Sequence, residues 1–292
     1  MKIVIGTRGS KLALVQAEYV KKRLEEAYPK DSYECKIIKT KGDRIQDKAL
    51  DQIGDKGLFV REIERELLDK TIDLAVHSMK DMPGEQPEGL CFANAWKRED
   101  PRDVLVLREA ASLEELPEHA VIGTGSKRRE IQLKKLRPDL QIVGIRGNVD
   151  TRLKKMQEQK LDGIVLAAAG LHRLGRASLI TQYLSPEQMI PAAAQGTLAL
   201  EVRKDRQDLL EKINALSEEK DRQIADTERL FLEGTGGDCH MPIGAYASMD
   251  GDGMLQLLAL FGTAADGTPK SCRVFGTTPQ ETAQKALREL LG

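Results

Sequence analysis

An α/β protein with two similar domains followed by a small C-terminal α+β domain is what this sequence predicts, and three observations predict it. Strand-like and helix-like stretches alternate through the first two thirds of the chain, which is the pattern of βαβ units with mainly parallel pairing. The strand–turn–helix junction Val4-Ile5-Gly6-Thr7-Arg8-Gly9-Ser10-Lys11 is echoed, one residue shorter, by Val121-Ile122-Gly123-Thr124-Gly125-Ser126-Lys127. The last part of the chain then changes pattern, to a long helix, three strand-like runs and a closing helix.

The elements follow in order. Lys2–Gly6 reads as a strand. Ser10–Tyr28 reads as a helix, with Leu12, Val15, Tyr19 and Leu24 at helical spacing. Tyr33–Thr40 is a strand, Leu58–Lys70 an amphipathic helix and Asp73–Met79 a buried strand. Asp103–Leu107, Val121–Thr124, Gln141–Ile145 and Gly163–Ala168 continue the strand series, with helices at Ser126–Leu136 and Asn148–Gln159 between them. In the C-terminal part a helix at Glu218–Leu232 precedes strands at Ile243–Met249, Met254–Phe261 and Ser271–Phe275 and a helix at Pro279–Leu291. The expected domains are 1–98 with a return segment at about 196–216, then 99–195, then 217–292.

Composition narrows the function classes. The chain has 292 residues, 40% hydrophobic and 31% charged, which suits a globular protein with a sizeable core. Its apolar runs are short, Ile164–Ala169 among the longest, far below the ~18 residues of a spanning helix. The start lacks the apolar run and cleavage site of a signal peptide, so a cytoplasmic protein is expected. A net charge of −1 and 4% aromatic residues argue against a dedicated nucleic-acid binder. Cys35, Cys91, Cys239 and Cys272 form no Cys-x-x-Cys pair, so no metal site is expected, and in a reducing compartment no disulfide is expected either.

Arginine placement carries the first functional signal. Arg8, Arg128, Arg129, Arg146, Arg152 and Arg173 all fall at or just past the ends of predicted parallel strands. Ligands of open α/β sheets bind at that edge. Arg128 and Arg129 lie in the first turn of a helix, where cations oppose the helix dipole at roughly 0.3–1 kcal/mol each. Such a broken local rule points to a site for a ligand with several anionic groups. The bland alternative is a solvated basic face.

The segment His77-Ser78-Met79-Lys80-Asp81-Met82-Pro83 brings Lys80 and Asp81 to the same edge, with Pro83 stopping a helix. An ionised Asp81 among cations could stabilise a cationic intermediate or hold a substrate N–H; the alternative is a Lys–Asp surface pair. His77 reads as a satisfied core histidine. Cys239 sits in a Gly-rich loop with polar neighbours, the setting of an accessible thiol. The other three cysteines read as strand packing residues. Gly54-Asp55-Lys56-Gly57 does not fit the phosphate-loop pattern and reads as a mobile lid that contributes Lys56.

These residues resemble the porphobilinogen deaminase family. The shared motifs run from Ile5-Gly6-Thr7-Arg8-Gly9-Ser10-Lys11 to Pro242-Ile243-Gly244. They include Lys56-Gly57-Leu58-Phe59, His77-Ser78-Met79-Lys80-Asp81, Arg98-Glu99-Asp100-Pro101-Arg102-Asp103, Arg128-Arg129 and Arg146-Gly147-Asn148. The resemblance implies two periplasmic-binding-protein-like α/β domains around a cleft and a small third domain. It implies a dipyrromethane cofactor held by a thioether to Cys239, and four porphobilinogen molecules joined head to tail with loss of ammonia. Hydrolysis then releases linear hydroxymethylbilane.

By the same resemblance Asp81 is the catalytic carboxylate. Ser78, Lys80, Thr124, Ser126, Arg128, Arg129, Arg146 and Gly147 would hold the cofactor. Arg8, Ser10, Lys56, Arg152, Arg173 and Gln195 would hold substrate. A monomer is expected, with no nucleic-acid or membrane partner. A non-catalytic binder of a small polyanion is the competing class, and it would need neither Cys239 nor Asp81. The chain departs from the family where Asp238 and His240 flank Cys239. It departs again at Ala194, where the family has Gly; Ala enters positive φ less easily, so an altered turn is expected there.

Overall fold

The computed structural model describes residues 1–40, 60–84, 86–236, 241–262 and 269–292. The chain divides into one unit of Met1–Arg98 with Thr197–Arg222 and a second of Glu99–Gly196 with Gln223–Gly292. Strands and helices are numbered in chain order. The strands are β1 Lys2–Arg8, β2 Ser32–Ile38, β3 Leu74–Ser78, β4 Leu90–Phe92, β5 Asp103–Leu107, β6 Val121–Gly123 and β7 Gln141–Val143. They continue as β8 Gly163–Ala167, β9 Gln182–Tyr183, β10 Leu198–Arg203, β11 Gly244–Met249, β12 Leu255–Phe261 and β13 Lys270–Gly276. The helices are α1 Lys11–Ala27, α2 Arg61–Leu68, α3 Lys127–Leu136, α4 Val149–Glu158, α5 Ala168–Arg173, α6 Gln207–Asn214, α7 Glu219–Gly234 and α8 Pro279–Leu291.

The first unit is a five-stranded sheet in the order β2-β1-β3-β10-β4. β1 pairs in parallel with β2 and β3, and β10 pairs antiparallel with β3 and β4. Both faces are covered. Ile3, Ile5, Leu74 and Val76 pack on Ala17, Val20 and Leu24 of α1 and on Leu209 and Ile213 of α6. On another cluster, Ala75 and Ile72 meet Ile63 and Leu67 of α2. Two covered faces explain why β3 reads as a continuous buried run rather than an alternation. Each fully buried aliphatic side chain contributes about 1.5–3 kcal/mol.

The second unit repeats the plan as β7-β6-β8-β5-β9. β6 is parallel to β7 and β8, and β5 is antiparallel to β8 and β9. The echo in the sequence therefore falls on equivalent places: β1 and β6 are the middle strands of the two parallel blocks, and Ser10 and Ser126 are the N-caps of the helices that follow. The expectation of mainly parallel pairing is corrected to mixed sheets. The parallel rule follows from βαβ crossovers, and neither β5 nor β10 enters its sheet through one.

In the C-terminal part β11, β12 and β13 form an antiparallel sheet covered by α7 and α8. Thr278 caps α8, its hydroxyl accepting the Glu281 N–H at 3.2 Å, while Glu281 Oε2 accepts the Thr277 N–H at 2.8 Å. Such a cap contributes about 1 kcal/mol. No helix among the described residues is long and apolar enough to cross a membrane.

Candidate functional site

In the first unit β1 and β3 run side by side, with Ile5 opposite Leu74. Their parallel direction brings Arg8, Ser10 and Ser78–Asp81 to one edge of the sheet. Ser10 accepts the Ala13 N–H at 3.3 Å and so starts α1. Ser78 Oγ accepts from Gln16 Nε2 of α1 at 3.1 Å. Beyond it Met79–Asp81 form a single 3-10 turn, closed by the Met82 N–H to Met79 O at 3.1 Å. Met79 and Met82 are buried and pin the turn, while Asp81 is exposed. Among the described residues no hydrogen bond or ion pair engages the Asp81 carboxylate.

His77 is buried on β3, as expected, but it is not satisfied. Its Nε2 lies 3.4 Å from Glu201 Oε2 on β10, and among the described residues neither atom is in a hydrogen bond. The distance suits a charge contact and the alignment does not suit a hydrogen bond.

In the second unit the parallel strands β6, β7 and β8 deliver three short segments to one edge. After β6, Thr124 is buried and its hydroxyl accepts the Ser126 N–H at 3.2 Å. Ser126 stands at the N-cap of α3, yet its side chain makes no cap bond. After β7, Gly147 has φ +117°, and a Cβ there would lie 2.5 Å from Thr151 Cγ2. Only glycine fits. Asn148 caps α4, accepting the Thr151 N–H at 2.9 Å, and Arg152 Nε donates to Gly147 O at 2.8 Å. After β8, Arg173 ends α5 and donates from Nη2 to Gly196 O at 2.7 Å.

Arg146 supplies the clearest sign of an anion-binding position. Its Nη1 is buried and has no hydrogen-bond partner among the described residues. A buried guanidinium nitrogen without an acceptor is costly, and a carboxylate oxygen is the acceptor that its geometry suits.

Arg128 and Arg129 are 4% and 5% exposed and turn toward Asp103, the first residue of β5. Arg128 Nη1 donates to Asp103 Oδ2 at 2.7 Å and to Ile190 O at 2.6 Å. Arg129 donates to Asp103 Oδ1 from Nη2 at 2.7 Å and from Nε at 3.1 Å. Burial pushes the Asp103 pKa up, but the two guanidiniums outweigh it and hold the carboxyl well below the usual carboxylate range. Gln195, expected at substrate, is 1% exposed and gives its amide hydrogens to Pro101 O at 2.7 Å and Asp103 Oδ1 at 2.9 Å. It braces the arginine cluster from behind.

Sequence reasoning missed Asp103. The available signal was an acid at the head of the buried run Val104–Leu107, since a charge in that place must be paired. Ala194, the residue less suited to positive φ than glycine, nevertheless takes the left-handed conformation at φ +57°. Lys56 and Cys239 lie outside the described residues. Cys35 and Cys91 are half-buried strand residues, and burial pushes the Cys272 thiol up to about 11.

Comparison with known proteins adds the family. A family model described as porphobilinogen deaminase, dipyromethane cofactor binding domain, matches residues 3–211. A second, porphobilinogen deaminase, C-terminal domain, matches residues 223–292. A porphobilinogen deaminase of Lachnospira eligens is 57% identical, over 98% of this chain and 98% of its own. One of Clostridioides difficile is 53% identical, over 90% of this chain and 87% of its own. Among solved structures, the methionine-binding protein MetQ has a TM-score of 0.46 at 13% identity, over 78% of this chain and 94% of that one.

Proposed function

The chain belongs to the porphobilinogen deaminase family, and from that premise we propose how its residues divide the work. It is a transferase with hydroxymethylbilane synthase activity in tetrapyrrole biosynthesis, and it contains a dipyrromethane cofactor-binding domain. When bound, that cofactor supplies a pyrrole chain end to which porphobilinogen units are joined. Arg146, with a buried nitrogen that lacks an acceptor, is the observation that carries the placement of a pyrrole carboxylate.

The division of labour follows from chemistry. Every porphobilinogen brings an acetate and a propionate, so the lengthening chain is polyanionic, and arginine forks suit carboxylates better than lysine point charges do. Arg146, Arg128, Arg129, Thr124 and Ser126 at the second unit's sheet edge hold cofactor carboxylates, with Gly147 shaping the loop. Ser78 and Lys80 are assigned to the cofactor as well. Arg8, Ser10, Arg152, Arg173 and Lys56 hold substrate; Gln195 serves through Asp103. Cys239 anchors the cofactor. Loss of ammonia leaves a delocalised cation on the substrate, and Asp81, exposed and unpaired among the described residues, is the carboxylate that stabilises it and moves the proton. We read the chain as a monomer in the cytoplasm, where thiols such as Cys35 and Cys91 stay reduced.

The test is stoichiometric. Purified protein given porphobilinogen is expected to release one ammonia for each molecule consumed. Consumption without ammonia, or none at all, would overturn the reading.

A further inference from the structure

We infer that Asp103 is a positioning residue: it fixes Arg128 and Arg129, the pair assigned above to the cofactor, without touching the cofactor itself. The inference rests on the reading above, in which Arg128 and Arg129 hold carboxylates. Asp103 is the first residue of β5 and pairs with Ala167, the last residue of β8. Because β5 runs antiparallel, its N-terminal residue arrives at the edge where the parallel strands end. The carboxylate is 0% exposed, so no ligand reaches it. Its two oxygens accept four bonds, from Arg128 Nη1, Arg129 Nη2, Arg129 Nε and Gln195 Nε2, all between 2.7 and 3.1 Å.

Stability alone is a poor reason for this arrangement. Buried ionic clusters are often no better than apolar residues of the same volume, and the two cations also oppose the dipole of α3. Function gives a better reason. Two guanidiniums and one carboxylate leave one positive charge, the complement of one ligand carboxylate. Each guanidinium is also fixed by a backbone carbonyl, Ile190 O for Arg128 and Val165 O at 3.0 Å for Arg129. A cation held in place before the ligand arrives loses little freedom on binding.

Intact mass of the purified full chain tests this, since it reads the share of chains that carry the dipyrromethane adduct without an activity assay. In Asp103→Asn that share is expected to fall at least tenfold. Leu140→Ala, a fully buried core change in the same unit, is the control for lost stability and is expected to stay loaded. Rescue by Asp103→Glu is expected in part. Should the Asn variant fail to fold, Gln195→Met removes one donor from Asp103 and is expected to lower loading about threefold, in line with one lost hydrogen bond. Wild-type loading in the folded variant, or equal loss in Leu140→Ala, overturns the inference. A wild-type chain without the adduct overturns the underlying reading together with this one, and that failure shows before any variant is made.

Discussion

Glu228 and Ala194 are joined by a 2.6 Å hydrogen bond, the Ala194 N–H donating to Oε2 of a fully buried carboxylate. The other oxygen, Oε1, accepts the Ala247 N–H at 2.7 Å. One side chain of α7 thus ties the 191–196 turn to β11 and holds Ala194 in the left-handed region. Next to it, Gly196 has φ +90°, and a Cβ there would stand 2.2 Å from Glu99 O.

Ala194→Gly is expected to stabilise the protein. Left-handed backbone costs a non-glycine residue about 1–2 kcal/mol, and glycine's greater freedom in the unfolded chain returns up to about 1 kcal/mol. The net gain is about 0.5–1 kcal/mol, read as a higher urea midpoint at unchanged slope. A lower midpoint would mean that the Ala194 methyl makes packing contacts worth more than the strain.

Glu64 on α2 makes stability depend on pH. Burial, helped by the charge of Glu201 and opposed by Arg61, pushes its carboxyl up to about 7 from an ordinary 4.5. The charged groups that act on this acid are Glu201 on the sheet and Arg61 on α2; Glu201 is in turn met by His77 Nε2 at 3.4 Å and by Gln86, which donates to Oε1 at 3.1 Å. The fold favours the protonated acid. That contribution is complete below about pH 4.5 and is lost as pH rises through 7. Glu64→Gln removes it, so the variant is expected to gain on the wild type in urea midpoint between pH 5 and pH 8. Parallel pH curves for the two proteins would contradict the assignment.

Much of the fold could be read in the sequence, because its signals are local. Ser10 and Ser126 announce helix starts, and strand ends at Arg8 and Gly123 are followed at once by turn residues. The same locality placed the arginines at strand ends. What could not be read depends on partners distant along the chain. Arg128 and Arg129 turn inward because Asp103, 25 and 26 positions earlier, reaches the same edge on an antiparallel strand. Sequence spacing carries no such direction. Gln195 reaches the same partner, Asp103, from 92 positions further along the chain. The tolerance of Ala194 for positive φ comes from Glu228, 34 residues away.

Asp81→Ala is expected to fold as the wild type does, because the residues that pin its turn are the buried Met79 and Met82. Turnover is expected to fall by at least about a hundredfold, the scale set by loss of one electrostatic stabiliser in a catalytic site. Thermal melting and ammonia release, measured on one preparation, check both halves. Unchanged turnover would remove Asp81 from the chemistry.

The most direct measurement is the intact mass of the purified chain with and without the thiol at position 239. The account predicts a wild type heavier than its bare 32.4 kDa polypeptide by on the order of four hundred daltons, the mass of a two-pyrrole cofactor, and a Cys239→Ser protein at the bare mass. A wild type at the bare mass, or an adduct that survives in Cys239→Ser, would contradict it.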